Sequence, residues 1–187
     1  PFIEDKISKN IKTILYAGNI GSGQGLETIL PAIAKRMGNR YHFLVIGDGG
    51  ARYKLINAIE SNNVNSIEIL PPVKRENLIK YYKDADILFL HLNDIPAFKR
   101  VLPSKIFEYT ALKIPIVAGL SGYSAKFILK NVAYAAVFDS GDVKGCVDAI
   151  KKVENIKIKE NEIDAFVEKY SREKIMNKMA KHIFSLL

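Results

Sequence analysis

The sequence predicts an α/β fold built on a doubly wound parallel sheet of about six strands. Two observations support this class. Short aliphatic runs recur along the 187 residues, and most are apolar at consecutive rather than alternate positions. Patterns with helical periodicity separate almost every pair of these runs. Strands that are apolar on both faces and alternate with helices are typical of a parallel sheet covered by helices on both sides.

The aliphatic runs give the strand positions, and the patterns between them give the helices. Strands are predicted at Thr13–Ala17, His42–Ile46, Ile67–Leu70, Ile87–Leu92, Ile116–Ala118 and Ala133–Phe138. Helices are predicted over Leu26–Met37, Ala51–Ser61, Arg75–Lys83, Pro103–Leu112, Tyr123–Lys130, Val143–Val153, Glu160–Lys169 and Arg172–Leu187. Regular strand–helix alternation favours right-handed crossovers in an open, Rossmann-like sheet. Because the chain shows no repeat and no internal linker, residues 1–187 are predicted to form one domain.

The composition is that of an ordinary globular protein, with 48% hydrophobic and 26% charged residues. No apolar run approaches the ~20 residues of a membrane span. The single cysteine, Cys146, excludes an internal disulfide and fits a reducing, cytoplasmic compartment. The net charge of +8 comes from dispersed lysines without a nucleic-acid recognition motif, so we expect no nucleic-acid partner; a phosphorylated ligand or an anionic membrane fits this charge. The start at Pro1, without an initiator methionine, favours a fragment of a longer protein.

Ligands of doubly wound sheets bind at the loops that follow the carboxyl ends of the strands. The first such loop, GNIGSGQGLET, carries Gly18, Gly21, Gly23 and Gly25 before a helix. Glycines let backbone N–H groups approach an anion, and a helix N-terminus adds partial positive charge. The loop has neither the GK[ST] end of a P-loop nor a GxGxxG pattern. We interpret it as a phosphate contact, with a tight strand-to-helix turn as the alternative.

The next two loops offer backbone groups. Gly47 to Gly50 opens a helix, and Asp48 is predicted to cap that helix. Pro72 and Val73 lie in a stiff segment whose N–H and C=O groups suit the edge of a nucleobase; a rigid turn accounts for them equally well.

Acidic and histidine residues elsewhere do not predict a metal site. Asp84 and Asp86 resemble a DxD motif, but they end a helix and precede a strand, whereas such a motif follows a strand. His91, near the end of a strand, is interpreted as a satisfied core or loop-edge histidine. With one cysteine, no structural zinc site is expected.

Positive charge gathers before the helix predicted at Pro103. Lys99 and Arg100 come directly before Pro103, Ser104 and Lys105. Proline fits a first helical turn because its missing N–H costs nothing there, and the following N–H groups can bind an anion. Three cations and a hydroxyl therefore predict an anion site, with a solvated basic loop as the alternative.

Glu108 lies one turn into the same helix. The helix dipole favours a carboxylate there, so capping accounts for this residue singly. Beside a phosphate site, however, a carboxylate also suits the two hydroxyls of a sugar, as acidic residues do for ribose in dinucleotide folds. Cations with a neighbouring carboxylate describe a site for a nucleoside diphosphate, which accounts for the whole set.

These residues belong to motifs that resemble the C-terminal, donor-binding domain of GT-B glycosyltransferases of family 4 (group 1). The motifs are YAGNIGSGQGLETIL, VIGDGG, ILPPVKRENLIKYYKDADILFL and PSKIFEYTALKIPIVAG. The resemblance runs from about Lys12 to the end of the chain. It implies the C-terminal half of a GT-B fold, a nucleotide-sugar donor and no cofactor or metal. It also implies that the N-terminal acceptor domain is absent here, so the fragment is expected to bind nucleotide without transferring sugar.

The resemblance assigns roles by position. Glu108 corresponds to the glutamate that holds the ribose, and the segment Pro103, Ser104 and Lys105 corresponds to the diphosphate site. Pro72 and Val73 correspond to the resting place of the base. The loops facing the sugar diphosphate contribute Gly18, Asn19, Gly21, Gly23, Gln24 and Gly47. No catalytic residue is assigned in this half; Lys99, Arg100 and Lys105 are expected to stabilise the leaving diphosphate.

The chain departs from the family pattern at a few positions. Asn19 and Gln24 fill places where many members carry a basic pair. Arg100 replaces the first glutamate of the E-x7-E pattern, and Lys126 stands where many relatives have glutamate. The PSKxFE and GNIG-x-x-QG patterns are more similar to a bacterial subgroup that transfers UDP-linked aminosugars in capsule, O-antigen or colanic-acid-type synthesis.

For the whole enzyme the resemblance implies retaining transfer to a glycan or lipid-linked acceptor. The expected location is cytoplasmic, and peripheral at the inner face of the membrane if the acceptor is lipid-linked. A regulatory nucleotide-binding domain and a GT-B-type sugar-nucleotide epimerase remain alternatives, although an epimerase would keep catalytic carboxylates and a histidine at its cleft, and this sequence shows no such set. A dehydrogenase is disfavoured by the missing GxGxxG pattern.

Overall fold

The computed structural model describes residues 11–156, 158 and 160–186. Its strands are β1 Lys12–Ala17, β2 Tyr41–Ile46, β3 Ile67–Leu70, β4 Ile87–His91, β5 Ile116–Gly119 and β6 Ala135–Phe138. Its helices are α1 Leu26–Met37, α2 Arg52–Ser61, α3 Arg75–Lys83, α4 Lys105–Ala111, α5 Gly122–Asn131, α6 Val143–Val153, α7 Glu160–Lys169 and α8 Arg172–Phe184. Two 3-10 turns, Gly38–Arg40 and Pro96–Arg100, complete the described elements.

The strands form one parallel sheet in the order β3-β2-β1-β4-β5-β6. This confirms the doubly wound, Rossmann-like fold predicted from the sequence. The chain moves outward from β1 to β3, then crosses to β4 on the other side of β1 and moves outward again. The crevice between the loops after β1 and β4 is therefore the topological switch point, where sheets of this kind bind ligands.

Both faces of the sheet are covered, as the consecutive aliphatic residues predicted. Successive side chains of a strand point to opposite faces, and Ile14 and Leu15 of β1 are both buried, in separate cores. One core lies under α1, α2 and α6, and includes Cys146. The other lies under α3, α4, α5 and α7, and includes Tyr109. Burial on two faces fixes the position and direction of each strand end. The loops that follow the strands therefore start from fixed positions.

The helix predicted over Pro103–Leu112 is shorter than expected. Ile106 and Phe107 donate their N–H groups to carbonyls three residues back, at 3.1 Å each. The first hydrogen bond of α-helical spacing runs from the Glu108 N–H to Ser104 O at 3.4 Å, so the helix begins at Lys105. Pro103 therefore precedes the N-cap residue, Ser104, whose side chain makes no capping hydrogen bond. The prediction that Pro103 lies in the first helical turn is wrong.

The last helix, α8, presents a largely exposed surface that includes Ile175, Met176, Met179 and Ile183. The prediction that this helix reaches Leu187 is wrong, because α8 ends at Phe184 with Ser185 as its C-cap residue; Leu187 itself lies outside the described residues. No helix within the described ranges is long and apolar enough to cross a membrane.

Candidate functional site

A cleft of about 330 Å³ opens at the carboxyl ends of β1, β2 and β3, between α3 and α4. This is the edge of the sheet where the sequence predicts ligand binding. Predicted site residues that line it are Gly18, Asn19, Gly47, Pro72, Val73, Lys105 and Glu108. A wider groove, of about 700 Å³, lies between α7 and α8, but no strand end contributes to it. The sheet-edge cleft is therefore the candidate site.

The floor of the cleft is backbone, because two glycines bring the first two loops together. Gly18 donates its N–H to Ile46 O at 2.8 Å, and Gly47 donates its N–H to Leu70 O at 3.0 Å. A Cβ at Gly47 would lie 1.8 Å from the carbonyl oxygen of Gly18. Only a residue without a side chain permits this approach, so the glycine is required for the shape of the loop pair.

Lys105 reaches back from the start of α4 across the glycine loop. A Cβ at Gly18 would lie 2.4 Å from Lys105 Cε, so the missing side chain makes room for the lysine. The ammonium lies 5.5 Å from the centre of the Tyr109 ring and 4.0 Å from Glu108 Oε2. Burial lowers the pKa of Lys105, although the charge of Glu108 opposes this shift. The cation is thus held in place and only partly hydrated.

Glu108 is oriented by a side chain that the sequence analysis did not identify. The Tyr82 hydroxyl donates a hydrogen bond to Glu108 Oε1 at 3.1 Å. The carboxylate therefore contacts a phenol and an ammonium, and it lies in the first turn of α4, where the helix dipole also favours a negative charge. Its side chain is 47% exposed, which leaves acceptor sites open to the cleft.

Tyr82 is buried and packs edge-on against the Tyr109 ring, with centroids 5.9 Å apart. Burial, followed by the nearby charge of Glu108, raises the pKa of Tyr82 well above its usual value, so the phenol remains a neutral donor. The signal for this residue was present in the sequence. Leu78 and Tyr82, four residues apart on α3, share the helix face that lines the cleft.

The rest of the glycine loop forms a layer behind the cleft. Gln24 Oε1 accepts hydrogen bonds from the Gly21 N–H and from Asn19 Nδ2, each at 3.1 Å. Tyr16 donates its hydroxyl to Asn19 O at 2.6 Å. Gly23 lies against the Phe98 ring, where a Cβ would be 2.9 Å from Cζ. The loop is therefore shaped by neutral amides where a basic pair is common in the family it resembles.

The three predicted cations do not converge on the cleft. Lys99 and Arg100 lie exposed on the 3-10 turn Pro96–Arg100, and Lys99 Nζ pairs with Asp94 Oδ1 at 3.2 Å. Lys105 lines the cleft, whereas Lys99, Arg100, Pro103 and Ser104 do not.

The prediction that Asp48 caps α2 is wrong. The N-cap residue is Ala51, and Asp48 Oδ1 accepts the N–H of its neighbour Gly49 at 2.8 Å. The five residues 47–51 between β2 and α2 separate Asp48 from the helix, and this aspartate instead lines the cleft.

The acidic motif before β4 has a structural partner. Asp86 Oδ2 accepts the N–H of Thr13 at 2.6 Å, at the amino end of β1 and so at the edge of the sheet opposite the cleft. His91 is buried with both ring nitrogens hydrogen-bonded, which confirms the interpretation of a satisfied core histidine. Within the described part of the chain, no three His, Cys, Asp or Glu residues are grouped as metal ligands would be.

The chain is similar to known glycosyltransferases in sequence and in fold. Over 103 residues, 55% of this chain and 25% of the relative, the chain is 30% identical to a protein named as a colanic acid biosynthesis glycosyl transferase, WcaI, of Escherichia coli. HepE of Anabaena, solved with UDP and glucose, has the same fold, with a TM-score of 0.76 at 15% identity over 98% of this chain and 51% of that one. The lipopolysaccharide outer core galactosyltransferase WaaB matches with a TM-score of 0.73 at 15% identity, over 95% and 50%.

The chain thus spans about half the length of these two solved structures, and the aligned segment a quarter of the curated relative. A family model described as Glycosyl transferases group 1 matches residues 2–172, which is most of the sequence. The chain therefore belongs to the group 1 glycosyltransferases.

Proposed function

We propose that this chain is the donor-binding half of a retaining, metal-independent glycosyltransferase that uses a UDP-sugar. The observation that carries the proposal is the pairing of Lys105 and Glu108, 4.0 Å apart, at one wall of the cleft. An ammonium and an open carboxylate side by side suit a ligand that carries phosphate and sugar hydroxyls together. The backbone floor adds close approach without bulk.

Each part of a nucleoside diphosphate has a counterpart in the cleft. Lys105 supplies a fixed positive charge for the diphosphate, and its partial burial strengthens that interaction relative to water. Glu108, held by Tyr82, accepts the two ribose hydroxyls. Pro72 and Val73, on the far side after β3, offer a backbone edge for the base, which we propose is uracil.

During transfer, negative charge develops on the departing diphosphate. Preorganised donors stabilise such charge best because they need no rearrangement at the moment of reaction. Lys105 is preorganised by the Gly18 backbone and the Tyr109 ring. Lys99 and Arg100 lie outside the cleft, so we assign this role first to Lys105. We propose that no metal or cofactor takes part.

The relatives support a place in polysaccharide synthesis. WcaI is named for colanic acid synthesis and WaaB for the lipopolysaccharide outer core, while HepE was solved with UDP. We propose a surface glycan or its lipid-linked precursor as acceptor and an aminosugar as the transferred group. We also propose cytoplasmic placement, peripheral at the inner membrane face if the acceptor is lipid-linked.

The length comparison supports a second, acceptor-binding domain outside this sequence, since the chain spans about half of the matching structures. We therefore propose that the chain alone binds donor without transferring sugar.

Calorimetric titration with UDP, UMP, GDP and ADP, with and without magnesium, tests the proposal. We expect UDP to bind more tightly than UMP, because the second phosphate adds a charged contact to Lys105. We also expect UDP to bind more tightly than GDP and ADP, which carry other bases. We expect added magnesium to leave the UDP affinity unchanged within about twofold, a difference of roughly 0.4 kcal/mol. Absence of UDP binding, or binding that requires magnesium, contradicts the proposal.

A further inference from the structure

His91, at the carboxyl end of β4, joins two loops at the ligand-binding edge of the sheet. Its Nδ1 lies 2.6 Å from the carbonyl oxygen of Gln24, in the glycine loop after β1. Its Nε2 lies 3.0 Å from the backbone nitrogen of Gly141, in the loop after β6. The two loops are 117 residues apart in sequence (141 − 24), so this ring is a direct link between distant parts of the edge.

The partners of the two nitrogens fix the tautomer. A carbonyl oxygen only accepts and a backbone N–H only donates, so Nδ1 carries the proton and Nε2 accepts. Burial lowers the pKa of His91, which keeps the ring neutral, although the hydrogen bond to Gln24 opposes that shift. A neutral, single-tautomer imidazole is therefore matched to both loops at once.

The ring is also held against rotation. It stacks on Phe138, with centroids 6.0 Å apart and an interplanar angle of 22°, and lies nearly parallel to Phe89. Below it, a Cβ at Gly119 would be 2.3 Å from His91 Cδ2, so the glycine of β5 provides the space that the ring occupies. The slot sets the direction of both hydrogen bonds.

Gln24 carries the effect of His91 toward the cleft. While its backbone carbonyl accepts from His91, its side-chain oxygen accepts from Gly21 N–H and Asn19 Nδ2. Asn19 lines the cleft, and Gln24 does not. A displacement of the Gln24 backbone would therefore release the bonds that shape the loop around Asn19.

We propose that His91 is a positioning residue for nucleotide binding, which acts by anchoring Gln24 and, through it, the glycine loop. It rests on the proposed UDP-sugar site. The bond to Gln24 carries this role, and the bond to Gly141 stabilises the fold.

Two substitutions separate the bonds, because an asparagine amide nitrogen approximates the place of Nδ1 and a glutamine amide oxygen that of Nε2. His91→Asn keeps the donor to Gln24 and loses the acceptor for Gly141; His91→Gln does the reverse. Each loses one buried hydrogen bond, so unfolding experiments should give similar losses of stability. Titration calorimetry with UDP and amide exchange of Gly21 by NMR, without ligand, then measure the anchoring.

We expect His91→Gln to weaken UDP binding about five- to tenfold and to speed the exchange of the Gly21 amide, whereas His91→Asn stays within about threefold of wild type. Equal UDP affinity in the two variants, or affinity that follows stability in both, overturns the proposal, as does unchanged Gly21 exchange in His91→Gln. If wild type does not bind UDP, the proposed function fails, and the Gly21 exchange rates alone decide the anchoring.

Discussion

Lys105→Met separates binding from stability most sharply. The substitution removes the ammonium and retains most of the apolar stem that packs along Gly18 and the Tyr109 ring. A hydrogen bond to a charged group contributes about 1.5–3 kcal/mol, so loss of the contact with a diphosphate predicts UDP binding weaker by about 10- to 150-fold. The effect should shrink as salt is added, because added ions screen the lysine–phosphate attraction.

The same change should not weaken the fold. Burial lowers the pKa of Lys105 in the folded chain below its ordinary 10.5. At pH values between the folded-state pKa and 10.5, the folded chain therefore binds fewer protons than the unfolded chain. Stability therefore rises with pH in that interval, and at neutral pH the buried charge opposes folding. We expect the melting temperature of Lys105→Met to be unchanged or higher, with no fall beyond about 2 °C.

Thermal unfolding and UDP titration, with the exposed Lys130 of α5 changed to methionine as the control, measure both quantities. The control should alter neither. If Lys105→Met binds UDP within about twofold of wild type, or loses more than about 1 kcal/mol of stability, this account of the lysine is refuted.

Other changes test neighbouring contacts. Tyr82→Phe should weaken UDP binding about fivefold by releasing Glu108, whereas Tyr81→Phe should not. Equal UDP affinities of the two variants by calorimetry would show that the Tyr82 hydroxyl does not contribute to binding. Gly47→Ala should lower the free energy of unfolding in urea by about 1–3 kcal/mol, because its Cβ meets the Gly18 carbonyl, whereas Gly50→Ala, with open space around it, should lower it far less. Equal unfolding midpoints for the two variants would show that the loops move apart to accommodate the added Cβ. Asp86→Ala should lose about 1–2 kcal/mol of stability and keep its UDP affinity. Unchanged stability with weaker UDP binding would show instead that Asp86 contributes to the ligand site.

Much of the fold followed from the sequence because the sheet is buried on both faces. Consecutive aliphatic residues identified every strand in the sheet, and the bounds of α1, α3, α6 and α7 agree with the prediction. Local pattern was less informative at α4. There, the carbonyls of Pro103 and Ser104 accept from residues three positions on, and this tighter turn delays the helix.

The site was predictable where it depends on loop position after a strand. Gly18, Gly47, Pro72 and Val73 reached the cleft for that reason. The cation cluster was inferred from adjacency in sequence, which does not specify the path of a loop. The turn Pro96–Arg100 carries Lys99 away to Asp94.

Tyr82 was missed because its partner in the site is distant in sequence. Its spacing from Leu78 indicated a shared helix face, but its partner Glu108 is 26 residues away in sequence, and only the fold shows that the hydroxyl reaches that carboxylate.

Titration of wild type and Glu108→Ala with UDP and with its 2′,3′-dideoxy analogue, without magnesium, tests the central claim most directly. If Glu108 holds the ribose hydroxyls beside the diphosphate, Glu108→Ala should bind UDP at least about tenfold more weakly, a loss of about 1.4 kcal/mol. The dideoxy analogue should bind both proteins alike. UDP binding that survives unchanged in Glu108→Ala would contradict the account.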